Sequence, residues 1–270
     1  MSFGQINTPQ PSSAGSVSAT VGLTEVTIDY SRPTMKGRQI FGEGADYLQP
    51  FGQLWRTGAN SGSVLTLSTD ATVAGTEVKA GQYLIFSTPG KDSWDFMLYS
   101  DLSIGGNVGA YDEAKQVLKT SVKPTWTASN TETLTFNISD ISEDNTSANI
   151  EMTWANVSVK VPFTVNFHEN VMKDIAAKMQ INPANYTAAA NYLLAAGENL
   201  DQALEYMNTY LALDSRDKQF WHIHTKAKIL AAMGKKDEAI AAAQQSYDVA
   251  AAAPNDFGYK ANNEKLIAEL

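Results

Sequence analysis

One segment of the chain concentrates the side chains best suited to holding an anion. Residues 31–60 read SRPTMKGRQIFGEGADYLQPFGQLWRTGAN and include Arg32, Arg38 and Arg56, three of the four arginines in the protein. An arginine guanidinium is a planar fork that binds carboxylate, phosphate or sulfate through two parallel hydrogen bonds. The segment therefore predicts a site for an anionic group.

The charge of this segment is opposite to that of the whole chain. With Lys36 added and the two acidic residues subtracted, residues 31–60 carry +2, whereas the protein carries −9. A cationic island in an anionic chain indicates a local electrostatic role. The segment is rich in Gly and Pro and has no regular periodicity, which predicts a long structured loop, a type of element that often carries function.

Trp55 adds a second kind of chemistry directly beside Arg56. An indole ring offers a flat apolar face on which a sugar ring or a cation packs, and amide or hydroxyl groups supply further hydrogen bonds. We therefore expect a glycan or an anionic small molecule to bind this loop, through the residues Arg32, Lys36, Arg38, Trp55, Arg56 and Asn60.

A structural role also explains the same residues. A loop without regular backbone pairing needs side-chain donors for its carbonyl groups. In this alternative the arginines bind backbone carbonyls or the carboxylates of Asp29, Glu43 and Asp46, and Trp55 is a core residue. The sequence leaves both alternatives open.

A carbohydrate-acting hydrolase is the alternative from a different class of protein. Glycoside hydrolysis needs two carboxyl groups at a set spatial separation, which a sequence does not reveal. Five acidic residues are candidates, and nothing in the sequence singles out a pair among them: Asp95, Asp112, Glu113, Asp140 and Glu151. Catalysis is therefore left undecided, with a noncatalytic role favoured.

Other cofactor and metal chemistry has little support in the sequence. The chain contains no cysteine and three histidines, which excludes thiol catalysis, disulfides and cysteine metal sites. His222 and His224 are two positions apart in a predicted helix and point to different faces. No phosphate-binding, zinc-protease or EF-hand motif is present, so we predict no metal and no cofactor.

Composition also restricts the partners. A pI near 4.8 disfavours general binding to nucleic acids, whose recognition depends on cationic surfaces. No uninterrupted apolar run approaches the 18 or so residues that a membrane-spanning helix needs. We therefore expect neither a nucleic-acid partner nor a transmembrane segment.

The elements that position the loop are predicted to be strands. Up to about residue 167 the chain shows short β-branched runs at period two, separated by turn residues, and 20 of its 23 Thr residues lie there. This pattern predicts an antiparallel β-sandwich or jelly roll over residues 16–167, with one short helix within 111–118. The predicted strands are 17–30, 64–68, 82–87, 94–99, 116–122, 132–138 and 149–165.

The remainder, residues 168–270, is predicted to be helical, which makes the fold class α+β. Two stretches, GENLDQAL at 197–204 and GKKDEAI at 234–240, repeat a turn glycine followed by an acidic residue and a small residue. Over residues 182–255 this pattern resembles tetratricopeptide repeats, helix pairs that stack on one another. Such repeats often bind a protein partner, so an adaptor role is open, as is a packing appendage to the β domain.

The first fifteen residues are predicted to be a flexible segment. Residues 5–15 read QINTPQPSSAG and are polar, with Pro and Ser and no periodicity. This composition is typical of a mature chain after removal of a signal peptide. We therefore expect an exported protein of the periplasm or cell envelope, with a native flexible N-terminus of a cytosolic protein as the alternative.

The loop residues and several later motifs resemble a bacterial family known as domain of unknown function 2911. The resemblance covers about residues 5–166. It rests on YSRPTMKGRQIFG at 30–42, WRTGAN at 55–60, AGQY at 80–83, PGK at 89–91, Trp94, YDEAK at 111–115 and WAN at 154–156. It implies an exported, β-rich envelope domain, sometimes followed by helical repeats, and it implies no activity.

Overall fold

The computed structural model of the 270-residue chain describes residues 9–179 and 182–270, which divide between two compact units, Met1–Phe167 and His168–Leu270. The first is built of antiparallel sheets and the second of helices, which confirms the α+β class. Of the segment predicted to be flexible, residues 1–8 lie outside the described part, and the first strand already begins at Ser13.

Twelve strands form the described part of the first unit. Their bounds are β1 Ser13–Val21, β2 Thr24–Arg32, β3 Phe41–Gly42, β4 Gln49–Pro50, β5 Ser63–Leu67, β6 Ala71–Val73, β7 Thr76–Val78, β8 Gly81–Thr88, β9 Trp94–Tyr99, β10 Gln116–Val122, β11 Thr125–Ser139 and β12 Ser147–Val165. One antiparallel sheet has the order β1-β2-β5-β8-β9-β10 and a second has the order β11-β12-β6-β7, while β3 and β4 form a two-residue parallel pair.

The two larger sheets share one apolar core. Ile28 and Leu65 come from the six-stranded sheet, and Ile150 and Phe163 come from the four-stranded sheet; each is at most 2% exposed. Alternate residues of each strand point to opposite faces, which is why the β-branched period-two runs fold in this way. The antiparallel part of the prediction is confirmed, and the assignment to a sandwich or jelly roll stays a prediction.

Two predicted elements differ from the structure. The run at 17–30 is a hairpin, because Gly22 turns the chain with φ of 58° between β1 and β2. A Cβ at Gly22 would lie 2.3 Å from the ring of Phe167, so only glycine fits the turn. The helix predicted within 111–118 is a single 3₁₀ turn at Glu113–Lys115, which leads directly into β10.

The candidate loop connects β2 to β5. Its regular structure consists of β3, β4 and two isolated bridges, one between Thr34 and Thr133 of β11 and one between Trp55 and Ser87 of β8. It is therefore a long loop that is held by short stretches of backbone pairing.

Six helices form the described part of the second unit. Their bounds are α1 His168–Lys178, α2 Ala184–Ala196, α3 Leu200–Leu211, α4 Phe220–Ala232, α5 Lys236–Ala251 and α6 Tyr259–Glu269. Every helix in the described ranges is too short or too polar to cross a bilayer.

The two similar sequence stretches occupy matching places in this unit. Gly197 and Gly234 follow α2 and α4 with φ of 69° and 74°, and Ala203 and Ala239 are fully buried in the next helices. The small side chains allow neighbouring helices to approach closely. Assignment to a tetratricopeptide repeat stays a prediction.

Candidate functional site

The WRTGAN motif is fastened to the sheet at its base. Trp55 and Ser87 exchange two backbone hydrogen bonds, of 2.8 and 2.9 Å. The Thr57 hydroxyl lies 2.9 Å from the Ser87 hydroxyl, and Ser63 donates to the Thr57 carbonyl oxygen at 2.6 Å. Thr57, Ser63 and Ser87 are buried, and each has a hydrogen-bond partner, so this part of the loop has a fixed conformation.

Two residues of the motif have left-handed backbone geometry. Thr57 has φ of 47° and Asn60 has φ of 55°. Asparagine tolerates this region better than most residues, and threonine is rarely found there. The Asn60 side chain donates to the Ser31 hydroxyl at 3.2 Å and to the Ser12 carbonyl at 3.3 Å, which ties the end of the motif to the chain around β1 and β2. Strained backbone held by its surroundings is a common feature of binding sites.

Two glycines support the motif from another loop. The Gly62 backbone N–H donates to the Gly105 carbonyl oxygen at 2.9 Å. A Cβ on Gly106, which has φ of 83°, would lie 2.6 Å from the Gly62 nitrogen and 3.2 Å from the Arg56 Cβ. The close approach of these backbones therefore requires glycine.

Arg38 and Arg56 are each oriented by carbonyl groups of their own loop. Arg38 donates to the carbonyl oxygens of Met35 at 2.9 Å and Thr34 at 2.7 Å, and Arg56 donates to that of Asn60 at 2.7 Å. Within the described residues neither arginine forms an ion pair with a carboxylate. A guanidinium has five N–H donors, so these contacts leave donors for a ligand.

Both arginines line one cavity of about 340 Å³. We call it the arginine cavity; its lining includes Arg38, Leu54, Trp55, Arg56, Asn60 and Trp154. Arg38 and Arg56 are the only charged residues among the described residues that line it. Its volume lies within the range of small-molecule sites, roughly 300 to 1,000 Å³.

Trp55 forms part of the wall of this cavity. It is 3% exposed, and its ring stacks on Trp154 with centroids 5.8 Å apart and meets the edge of Phe41 at 5.7 Å. Its indole N–H donates to the Gly58 carbonyl at 3.2 Å. These surroundings match the core alternative for Trp55, because a buried ring has no free face on which a sugar ring packs.

Arg32 and Lys36 lie apart from the arginine cavity. Arg32 donates to the Leu134 carbonyl at 3.4 Å and to the Thr135 hydroxyl at 3.3 Å, both on β11. The Lys36 side chain is exposed, and its backbone N–H is bound by the Glu132 carboxylate at 2.9 Å. The structure thus brings four of the six predicted residues together, and these two fasten the loop to β11.

A second cavity of about 770 Å³ was not foreseen from the sequence. We call it the aromatic cavity; its lining includes Arg38, Tyr47, Phe51, Lys91, Trp126 and Asn156. Trp126 is 39% exposed, donates its indole N–H to the Lys91 carbonyl at 2.9 Å and meets the Phe51 ring at 6.1 Å. Lys91 and Asn156 belong to the PGK and WAN motifs, which were the available sequence signal.

An irregularity in the strand pair β11–β12 positions residues of the aromatic cavity. Trp126 pairs with Val157 and Thr131 pairs with Ala155, so five residues along β11 match two along β12. Ala155 has φ of 50° and lines the aromatic cavity beside Asn156. Bulges of this kind redirect side chains at sheet edges and beside binding sites.

The carboxylates proposed for hydrolysis lie elsewhere. Among the described residues, Glu43 is the only acidic residue that lines either cavity. Burial acts to raise the pKa of Asp95, but hydrogen bonds from Ser121 and Lys119 hold this pKa below its ordinary value. The ammonium group of Lys160 lowers the pKa of Asp140. Both groups are therefore ionised acceptors near neutral pH, and neither is a proton donor.

Fold and site define an α+β protein whose β unit carries two adjoining cavities beside a cationic loop. Residues 12–163 match the family described as Protein of unknown function (DUF2911), and the chain belongs to that family. No curated protein and no solved structure matches the chain.

Proposed function

We propose that the β unit binds an anionic small molecule or an acidic glycan in the arginine cavity. The observation that carries this proposal is the charge of the lining: Arg38 and Arg56 line one cavity, no acidic residue among those described lines it, and neither arginine has a carboxylate partner. Two cationic side chains that have no carboxylate partner and line a concave site attract an anion.

The surroundings of the two arginines favour the binding of an anion. Each guanidinium is already oriented by carbonyl groups, so less side-chain freedom is lost when a ligand binds. The wall of Trp55 and Trp154 is apolar and almost fully buried, which strengthens a charge interaction beside it. Asn60 adds polar atoms to the lining.

Binding without catalysis suits these cavities better than hydrolysis. Two positioned carboxyl groups are needed for glycoside hydrolysis, and Glu43 alone contributes an acidic side chain to either lining in the described part of the chain. The hydrolase alternative therefore gains no support from the site.

Calorimetric titration of the full chain tests the proposal. The probes are D-galacturonate, sulfate and phosphate, with D-galactose as the neutral match to galacturonate. We expect at least one anion to bind and galactose to bind more weakly. Arg56→Gln should lower the affinity for the anion about tenfold or more, since a charge-assisted bond is lost. Arg216→Gln, in the helical unit, is the matched control and should bind like wild type.

Two results would overturn the proposal. The first is that none of the three anions binds. The second is that an anion binds with the same affinity to the wild type and to Arg56→Gln, which would place its site elsewhere.

Export and a protein partner for the helical unit stay predictions. Export has support from the family resemblance, and cell fractionation with an antibody to the native protein tests it. An adaptor role has support from the helical architecture alone; it requires that the full chain captures a partner and that a chain without residues 168–270 does not.

A further inference from the structure

We propose that the arginine cavity and the aromatic cavity are consecutive subsites for one acidic oligosaccharide. The acidic group of one sugar occupies the arginine cavity, and a neighbouring sugar packs on Trp126 in the aromatic cavity. This inference rests on the proposed function, because it takes the arginine cavity as the anion subsite and extends the ligand from it.

Arg38 connects the two cavities. It lies in the lining of both, and its Nε and one terminal nitrogen are held by loop carbonyls. The remaining donors of one guanidinium thus lie at the junction of the two spaces. A fixed cation in this position contacts an acidic group and the hydroxyls of the adjacent sugar together.

The partition between the cavities consists of two layers of packed aromatic rings. Phe41 lines the aromatic cavity, and its ring lies 5.7 Å from that of Trp55 and 5.8 Å from that of Trp154, both of which line the arginine cavity. A single sugar ring is too small to span this partition. A ligand that occupies both sides has at least two rings.

Trp126 has the exposure that a stacking platform needs and that Trp55 lacks. It is 39% exposed, against 3% for Trp55, and its indole N–H is already bonded to the Lys91 carbonyl. The edge contact with Phe51 supports the ring from the side. The orientation of this face is therefore set before a ligand arrives, which reduces the entropic cost of binding.

The polar lining of the aromatic cavity matches sugar hydroxyls. Asn130 and Asn156 present amides, which donate and accept hydrogen bonds as hydroxyls do. The charged residues are Arg38, Lys91 and Glu43, so the cationic excess is smaller than in the arginine cavity. The arginine cavity is thus suited to the acidic group, and the aromatic cavity is suited to a neutral or mildly acidic sugar ring.

Titration calorimetry of the full chain with probes of increasing length tests this inference. The probes are galacturonic acid, digalacturonic acid and a sulfated chondroitin disaccharide, with neutral galactobiose and AMP as comparisons. The variants are Trp126→Ala, Trp126→Phe, Arg56→Gln and Trp221→Ala. Trp221 is 37% exposed in the helical unit, which makes its variant a matched control for loss of an exposed indole. Circular dichroism and thermal unfolding establish that each variant is folded.

We expect an acidic disaccharide to bind about tenfold or more tightly than galacturonic acid, since stacking adds contact area. Trp126→Ala should remove this gain and leave the monosaccharide affinity unchanged, Trp126→Phe should restore most of it, and Trp221→Ala should have no effect. Arg56→Gln should weaken every acidic probe.

The failures of the two proposals are distinguishable. If galacturonic acid binds through Arg56 and the disaccharides bind no more tightly, or Trp126→Ala has no effect, the two-subsite inference is wrong and the anion site stands. If galactobiose binds as well as the acidic disaccharides and Arg56→Gln has no effect, the proposed function is wrong. Tighter binding of AMP than of either acidic disaccharide would assign the aromatic face to a nucleobase and overturn the oligosaccharide. Absence of binding by every probe of this series would overturn the oligosaccharide inference, and absence of sulfate and phosphate binding as well would overturn the proposed function.

Discussion

The Nη1 atom of Arg56 lies 2.7 Å from the carbonyl oxygen of Asn60, four residues further along the chain. This bond closes the WRTGAN turn, and the same guanidinium lines the arginine cavity. Structural support and the proposed ligand contact thus fall on one side chain. The two roles are separable because they predict effects of different size on stability and on binding.

Arg56→Gln should therefore lower the free energy of unfolding by no more than about 1.5 kcal/mol, the range of a single hydrogen bond with partial exposure. Urea unfolding of the wild type and of the variant, without ligand, measures this difference. A loss above about 3 kcal/mol, as expected of a disrupted buried network, would indicate that the arginine is mainly structural. Arg216→Gln provides the baseline for removal of an arginine elsewhere.

Gly106 and Gly105 form a matched pair of positions for testing the support of the loop. Gly105→Ala places its Cβ in open space at φ of 55°, and we expect a loss of about 1 kcal/mol from left-handed geometry alone. Gly106→Ala brings its Cβ to 2.6 Å from the Gly62 nitrogen, so backbone has to move. We expect a loss of at least about 3 kcal/mol, measured by urea unfolding.

The binding experiment extends the same comparison. Displacement of Gly62 moves the chain that follows Arg56, so Gly106→Ala should also lower the affinity for the anion probe. Gly105→Ala should bind the probe like wild type. Equal stability and equal binding of the two variants would show that the close approach of Gly106 to Gly62 does not support the cavity.

The strands were predictable wherever one period-two run coincided with one strand. The predicted runs at 94–99 and 116–122 agree with β9 and β10 to the residue. The run at 17–30 concealed a hairpin, because Gly22 and Leu23 form the whole turn. Apolar residues lie at odd positions before the turn and at even positions after it, and this change of phase, together with Gly22, was the available signal.

The candidate site was predictable only in its local part. Arg56 and Asn60 are four residues apart and meet through a turn, a relationship that the sequence shows. Trp126 reaches the loop only through the pairing of β11 with β12 and the irregularity opposite Ala155. Both depend on long-range register, which a single sequence does not determine.

In the helical unit, Asn263 is a test of buried polar contacts. Its amide donates to the Ser246 hydroxyl at 2.8 Å and to the Tyr259 carbonyl at 2.7 Å, and its carbonyl oxygen lies 2.7 Å from His224 Nδ1. Asn263→Ala removes all three contacts inside a buried site, so we expect a loss of at least about 2 kcal/mol in thermal or urea unfolding.

The neighbouring Asn262 is the control for this variant. It is exposed on the same helix, and Asn262→Ala should change stability by less than about 0.7 kcal/mol, in the stabilising direction because alanine favours helix. A similar, small effect of both substitutions would show that the network around Asn263 contributes little to the packing of α4, α5 and α6.

The titration of His222 gives a prediction with a definite sign. Burial, and then the nearby Arg216 guanidinium, lower the pKa of His222 below its ordinary value of 6.5. The unfolded chain therefore binds this proton more readily than the folded protein, so the contribution of His222 to stability is present above about pH 6.5 and is lost as the pH falls toward the folded pKa.

We expect proton–carbon NMR titration to give a pKa of His222 below the free imidazole value. Arg216→Gln should raise this pKa, because the repulsion between two cations is removed, while burial still holds it below 6.5. In urea unfolding at a series of pH values, His222→Gln should lose less stability than the wild type between pH 7 and pH 5. A folded pKa of His222 at or above 6.5, or identical pH profiles of the two proteins, would contradict the assignment.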